Sequence, residues 1–432
     1  MNKTLRNIII IIASIIVLAV VALGIMFFYD APLPDDSAYK TTCNPAPPET
    51  NAIVTLEKLA GKVKASLNDY PEFNGYVSIY DWEDLLSGNR IDFELQVPVV
   101  VRNQEALSLL LEAMKKPNAQ FAPPFPKDGT LQDYGPSATA FMDVNKIARM
   151  TWQNIKDGKV VFSWGDALDN ILLVKKYGTA ENTSLINFLV ALACVRADFD
   201  LLIKNIASLE DREVAIKAAS LLNDGALKPA DFNIPMKTEY GVIDEQTRRI
   251  GNISRNWYLF KPNDTRQRAL DIFEKIKKAI SRGDQDANIP PAPRLFDASL
   301  VEKSKYMLRP NATGRALVDL VCSNYGAIYK SMMESFAPFR VSACAFALRA
   351  YWLDHGRLPD SLDELAPEYI KTVPLDIYGG KPVQYDRDRA VVYSAGPKLV
   401  YSTGEFAREP HPSGERPFVL LDWAAPATAP RD

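Results

Sequence analysis

The feature that most constrains this chain is an uncharged run of 21 residues near its start, from Ile8 to Phe28, in which Ser14 is the only polar side chain. At a rise of about 1.5 Å per residue, a helix of this length spans about 30 Å, the thickness of a bilayer's hydrocarbon core. Lys3 and Arg6 precede the run and acidic residues follow it, so the positive-inside rule predicts a cytoplasmic N-terminus. We therefore expect a single-pass transmembrane helix.

A cleaved signal peptide is the competing interpretation of the same run. Its apolar region would be about 7 to 15 residues long and would end in a small-x-small site. Residues 24–29 offer no such site. We expect residues 8–28 to be an uncleaved signal-anchor, with residues 1–7 as a cytoplasmic stub and the rest of the chain outside the membrane. The membrane is then the first predicted partner.

Composition indicates a folded body behind this run. Hydrophobic residues make up 47% of the chain and charged residues 24%, which is ordinary for a globular protein. The net charge is only −3, and basic residues alternate with acidic ones along the chain. Binding to nucleic acid would need a clustered basic face, so we expect no nucleic-acid partner.

Proline clusters and apolar periodicity divide the body. Five prolines follow the apolar run, and they predict an extended stalk over residues 29–48. Apolar residues at three- and four-residue intervals then predict a helical domain over 49–312, and residues 313–432 form the last part. The predicted helices cover 49–68, 103–116, 137–157, 166–177, 182–206 and 211–223. Residues 90–102 are the exception, because their β-branched side chains favour a strand.

Two segments of the helical domain share a pattern. Tyr258 and Tyr306 each begin the sequence Tyr, two apolar residues, a base and Pro-Asn-x-Thr, and each leads into Arg-Ala-Leu. A proline followed three residues later by a threonine is typical of the residues just before a helix, so we expect Thr265 and Thr313 to cap helices. This interpretation favours a structural role over ligand binding.

The cysteines indicate no metal site. Cys43, Cys194, Cys322 and Cys344 have no CxxC spacing and no histidine nearby, so zinc is not expected. Cys322 and Cys344 could form a disulfide outside the cytoplasm, or all could be small buried residues. We predict no metal and no other cofactor.

The C-terminal part has a specific order of signals. A long apolar helix from Thr313 contains Pro338, which should kink or split it, and ends at His355 and Gly356 with the left-handed glycine that helices use there. Residues 361–364 form a capping box for a short helix. Segments 382–386 and 390–394 alternate as a hairpin would, and 418–421 could add a third strand.

Residues 349–397 in this order resemble the C-terminal domain of the major (G-type) pseudopilin of type II secretion systems. The resemblance implies a small α+β module in a bacterial protein of the cytoplasmic (inner) membrane, with envelope or secretion proteins as partners. Three departures limit it. In the family the membrane helix continues directly into the helix before this turn, whereas here about 300 residues lie between them. Residues 2–8 lack the prepilin cleavage site, and residues 396–400 lack the oxygen ligands of the family's calcium loop. The expected fold class is mainly α: a helical array after one transmembrane helix, with this module at the end.

The sequence favours no enzyme. Its two histidines, His355 and His411, lie at a helix end and in a Pro-His-Pro segment, and no nucleotide-binding, zinc-protease or serine-hydrolase motif occurs. A hydrolase would have to use surface carboxylates, which are usually solvated charges. These are Asp363, Glu364 and Glu368, or Asp386 and Asp388. We predict no catalytic, cofactor-binding or metal-binding residue.

Two non-enzymatic functions stay open. In the first, the body is a scaffold or interaction component of an envelope or secretion-related assembly. In the second, the pseudopilin-like module covers a helical receptor for a peptide or small ligand, because a fold does not carry one function. The second hypothesis predicts a groove between helices that is lined by apolar and a few polar groups.

Overall fold

The structure is a computed structural model, and it describes residues 17–18, 20–21, 29–40, 46–73, 77–86, 92–122, 135–156, 159–225, 227–253, 258–282, 308–322, 325–396 and 418–424. Over these residues the chain is mainly helical, with a small three-stranded antiparallel sheet near the C-terminus. This confirms the predicted mainly-α class with a small C-terminal sheet.

The described part of the chain contains these helices in order. Their bounds are α1 Ala52–Glu57, α2 Ile79–Leu86, α3 Phe93–Arg102, α4 Gln104–Lys115, α5 Gly135–Thr151, α6 Trp164–Gly178, α7 Leu185–Asn205, α8 Arg212–Ser220, α9 Asn233–Ile253, α10 Pro262–Arg282, α11 Ala312–Cys322 and α12 Tyr325–His355. A π-helical turn, Leu221–Gly225, follows α8 directly.

Two small sheets accompany the helices. β1 (Gln153–Lys156) and β2 (Lys159–Phe162) form an antiparallel hairpin. In the second sheet β4 (Val391–Tyr393) lies between β3 (Gln384–Asp386) and β5 (Phe418–Leu420), antiparallel to both. The predicted C-terminal hairpin and its third strand are therefore confirmed.

The predicted membrane span requires a correction. In the part of the chain that the structure describes, no helix is both long enough and apolar enough to cross a bilayer. The predictions of a transmembrane helix and of a single-pass location in the inner membrane are wrong on this finding. Of residues 8–28, positions 17, 18, 20 and 21 are described, as exposed helical residues. The others, and the stub at 1–7, lie outside the described residues.

The chain divides into two compact units. The first contains residues 1–41, 236–279 and 286–329, and the second contains 42–235, 280–285 and 330–432. The first unit is assembled from three separate stretches of chain.

Aromatic packing and a long-range helix cap hold the first unit together. Tyr39 packs against Tyr240 and Phe273, with ring centroids 5.7 and 5.8 Å apart. The Asp30 carboxylate accepts hydrogen bonds from the first backbone amides of α10, at Asn263 (2.9 Å) and at the next residue (3.1 Å). Residues 29–40, predicted as part of an extended stalk, are therefore packed against helices.

The two similar segments of the sequence meet in the first unit. Asn311 is fully buried, and its backbone amide donates to the Tyr258 carbonyl at 2.7 Å. Its side chain accepts from the Lys261 amide at 2.8 Å and donates to Thr265 Oγ1 at 3.1 Å. Thr265 lies inside α10 and donates to the Lys261 carbonyl, so the predicted cap at this threonine is wrong. We call residues 261, 264, 265 and 311 the Asn311 cluster.

The second unit contains the helical array from α1 to α8. Residues 90–102, predicted as a strand, contain helix α3 (Phe93–Arg102) instead. The Asp92 side chain caps this helix by accepting from the Leu95 amide. Val99 is fully buried at helical spacing, so capping and burial outweigh the β-branched composition. The predicted helix 137–157 ends at Thr151, before the β1–β2 hairpin.

The C-terminal module follows the predicted order of elements. Pro338, which was expected to kink or split the long helix, lies inside α12, and the helix does not end there. Gly356 has the expected left-handed backbone (φ 63°). The Glu364 carboxylate accepts from the backbone amide of residue 361, as in the predicted capping box.

The described cysteines are all buried free thiols: Cys194, Cys322 and Cys344. The structure thus has the second of the two alternatives, small buried residues rather than a Cys322–Cys344 disulfide. Cys43 lies outside the described residues.

Candidate functional site

A groove of about 1030 Å³ lies in the second unit between α4, α5 and α6. Four buried apolar side chains form its floor, each at most 4% exposed: Leu110, Ala148, Trp152 and Leu173. Grooves that bind ligands in proteins are typically of about 300 to 1000 Å³ and mostly apolar. This one is at the upper end of that range.

The walls of the groove are formed by side chains that lie along one face of α4 and of α6. Leu107, Leu111 and Met114 lie along α4 at spacings that place them on one face. Leu111 is 52% exposed, and Leu172 on α6 is 42% exposed. Single exposed leucines are common on protein surfaces, but these two line the same groove and give it apolar surface that another molecule could cover.

Charged side chains of opposite sign mark the two ends of the groove. Lys115 and Lys175 lie in the last turns of α4 and α6, and Lys176 donates to the backbone carbonyl of residue 116 at 2.5 Å. Asp166 and Asp169 lie in the first turns of α6. Partial burial lowers the pKa of Lys176. The groove therefore has a lysine end and an aspartate end.

A buried ion pair ties together the three helices α5, α6 and α7. Arg149 Nη1 lies 3.0 Å from Asp198 Oδ1, with both side chains buried. Asn170 Nδ2 donates to Asp198 Oδ2 at 3.1 Å and to Asn145 Oδ1 at 2.8 Å. Because Ala148, next to Arg149, lines the groove, this network fixes the helices that form the floor.

Burial dominates the titration of this network. It raises the pKa of Asp198 to about 6, an effect that Arg149 opposes, and it raises the pKa of the Cys194 thiol to about 12. Asp198 is thus a paired carboxylate at neutral pH, and Cys194 is a protonated thiol with no nucleophilic character.

The residues that a histidine-based site would need have structural contacts. His355 Nε2 lies 3.1 Å from the Tyr369 hydroxyl, which in turn donates to Asp354 Oδ2 at 2.8 Å. Arg212 also binds Asp354, and this contact lowers the pKa of Asp354. These contacts fasten α8 to the end of α12, and His411 lies outside the described residues.

The carboxylates that a hydrolase would use either have structural contacts or are exposed. Glu364 accepts from the Tyr351 hydroxyl, and Glu368 pairs with Arg212. Asp386 accepts from a backbone amide of its own hairpin. Asp363 and Asp388 are exposed.

Metal-ligand chemistry is equally sparse in the described ranges, which contain no group of three or more His, Cys, Asp or Glu side chains that could hold a metal ion. Residues 397–400 of the calcium-loop comparison lie outside these ranges. The absence of bound metal therefore stays a prediction for the whole chain.

Compared with known protein families, curated proteins and solved structures, the chain matches none. The resemblance of residues 349–397 to the pseudopilin module accordingly stays a prediction.

Sequence reasoning identified the helices of the groove but none of its residues as a site. The α4 pattern was visible as a helical repeat, yet the same repeat describes any helix buried on one face. The additional signal was Leu111 beside Leu110, which widens the apolar stripe of α4.

Proposed function

We propose that this chain is a non-enzymatic binding protein that holds an apolar ligand or peptide in the groove between α4, α5 and α6. One observation carries the proposal: the groove joins a buried apolar floor to two exposed leucines, Leu111 and Leu172. Full burial of a leucine side chain is worth about 1.5 to 3 kcal/mol, so covering the exposed half of each of these leucines contributes about 1 kcal/mol. Two such side chains would give the groove a useful affinity.

The contacts of the polar residues support a binding function over catalysis. Catalysis by acid and base needs two titratable groups that converge on one reacting atom. At the groove the titratable side chains are at opposite ends, and the apolar floor separates them. Such an arrangement suits orientation of a ligand.

Photolabelling tests the proposal with a readout confined to the groove. A neutral long-chain alcohol that carries a diazirine is incubated with the full chain, irradiated, and mapped by mass spectrometry. We expect label on α4 and α6. Leu172→Glu should weaken saturable labelling about tenfold, because the variant loses about 1 kcal/mol of apolar contact and places a charge that the bound alcohol would desolvate.

The matched control is Ile186→Glu. Ile186 is 57% exposed on α7 and does not line the groove. This variant should label as the parent does, and circular dichroism should show both variants folded. Equal labelling of the parent, L172E and I186E would exclude the groove as the binding site.

A second candidate is an interaction component of a secretion-related assembly. The observation that favours it is the order of elements at the C-terminus, where α12, a turn, a short helix at Leu362–Leu365 and the β3–β4 hairpin follow one another as in the pseudopilin resemblance. Affinity capture with the full chain tests it. Recovery of no secretion or pilus subunit above a control lacking residues 356–396 would count against it.

A further inference from the structure

The groove has the length of a short helix. Ten residues separate Asp166 from Lys176 along α6, which corresponds to about 15 Å or nearly three turns. On the opposite wall the lining runs from Leu107 to Lys115, about 12 Å. A ligand that fills this trough is therefore elongated, and about three helical turns of a peptide match it.

The two ends of the trough carry charge that the described chain does not neutralise. Among the described residues, neither Lys115 nor Lys175 has a carboxylate partner, and Asp166 has no basic partner. Asp169 alone is paired, with Lys217 at 3.2 Å. Charge complementarity therefore calls for a ligand with an acidic group at the lysine end and a basic group at the aspartate end.

We propose that the ligand is an amphipathic helical segment of a protein partner, with an acidic side chain at the lysine end and a basic side chain at the aspartate end. This inference rests on the proposed function of the groove. Helices that bind in grooves present apolar anchors at spacings of three, four and seven residues. The leucines along the trough offer apolar contacts over the same length.

A single-headed amphiphile such as a fatty acid fits these observations less well. Its carboxylate would complement the lysine end, but its methyl end would lie against Asp166, a charge that would lose water without gaining a partner. A peptide satisfies both ends at once.

Three synthetic peptides test the charge pattern. Each is an acetylated, amidated, fluorescein-labelled 14-mer (three to four turns) with the same leucine stripe. One has an acidic and a basic end, one has two acidic ends, and one has two basic ends. Fluorescence anisotropy with the full chain should rank the bipolar peptide about fivefold tighter than the other two, a preference that about 1 M salt removes.

Charge-reversal variants should move this preference in opposite directions. Asp166→Lys makes both ends of the groove positive, so the peptide with two acidic ends should become the tightest. The double variant Lys115→Glu/Lys175→Glu makes both ends negative, so the peptide with two basic ends should lead. Matched controls are Lys371→Glu and Asp363→Lys, which are exposed and outside the groove and should keep the parent ranking.

The outcomes separate this inference from the proposed function. If the diazirine alcohol labels the groove but all three peptides bind equally or not at all, the helical partner is excluded and the groove remains a ligand site. If sodium laurate binds in a Lys175-dependent manner and the peptides do not, a fatty acid replaces the peptide. If neither alcohol nor peptide reaches the groove, both proposals fail.

Discussion

The two units of this protein differ in which side chains find partners within the chain and which stay exposed. In the first unit, polar side chains from distant parts of the chain close on one another, as Asp30 does on α10 and Asn311 on Thr265. In the second unit, the polar network of Arg149 and Asp198 is buried, and apolar side chains stay open in the groove. The difference indicates where binding can occur. A region whose groups satisfy each other has little to offer a ligand, whereas an open apolar groove does.

The strongest test of the comparison breaks the buried network of the second unit. Arg149→Met leaves Asp198 buried without its cation, and removing one partner of a buried pair costs about 3 to 5 kcal/mol. Urea unfolding monitored by circular dichroism measures the loss. The double variant Arg149→Met/Asp198→Leu should recover most of it, because no buried charge remains. A loss below about 1 kcal/mol for the single variant would show that the pair does not hold the groove helices.

In the first unit, Gly314 is the most sensitive position. A Cβ atom there would clash with Thr265 Oγ1 and Asn311 Oδ1, both held in hydrogen bonds. We expect Gly314→Ala to cost about 3 kcal/mol through overpacking, measured by thermal or urea unfolding.

The matched control is Gly241→Ala, in a helix of the same unit with open space at the Cβ position. It should be neutral or stabilise by up to about 1 kcal/mol. Equal effects at the two glycines would contradict the tight packing of the Asn311 cluster.

Titration of Asp198 gives the second unit a pH dependence of known sign. The folded protein keeps the Asp198 proton up to about pH 6, whereas an unfolded aspartate loses it near about pH 3.9. This site therefore favours folding fully below about pH 3.9, and the contribution is lost as pH rises through 6. The measured quantity is the unfolding free energy of the parent minus that of Arg149→Met/Asp198→Leu. Between about pH 3.9 and about pH 6, this difference should fall by up to about 1.4 kcal/mol per pH unit. Parallel pH curves for the two proteins would rule this out.

The smallest expected effect concerns the long-range cap of the first unit. Asp30→Ala removes the acceptor of two α10 amides and should cost about 1 kcal/mol. Asp35→Ala is the control, because Asp35 is exposed and caps only a local turn. Differential scanning calorimetry should show a lower melting temperature for the first variant alone. A shift of the same size in both would mean that the cap adds nothing.

The sequence was sufficient for most helices because apolar periodicity reports which face is buried. The helices Gln104–Lys115, Trp164–Gly178 and Leu185–Asn205 all lie where their patterns predicted them. Residues 90–102 failed because β-branched composition describes a local preference, and the Asp92 cap and the burial of Val99 are decided by the surrounding fold.

The candidate site could not be predicted to the same degree. A groove depends on which helices become neighbours, and periodicity does not carry that information. The hydrogen bond from the Asn311 amide to the Tyr258 carbonyl could not be predicted for the same reason. Their shared Pro-Asn motif marked both segments as unusual, but it did not show that they meet. The charges at the ends of α6 could be read from the sequence, but not their position beside an open trough.

The contact between Asp30 and α10 can form only after the ribosome has synthesised both of its partners. Its two partners are 233 residues apart, and ribosomes add about 5 to 20 residues per second. Residues 29–40 must therefore wait about 10 to 50 seconds for their partners to be made. The groove helices, all contained within residues 104–178, are synthesised before α10 exists. During synthesis, the residues of the open apolar groove are therefore made before the first unit can close on itself.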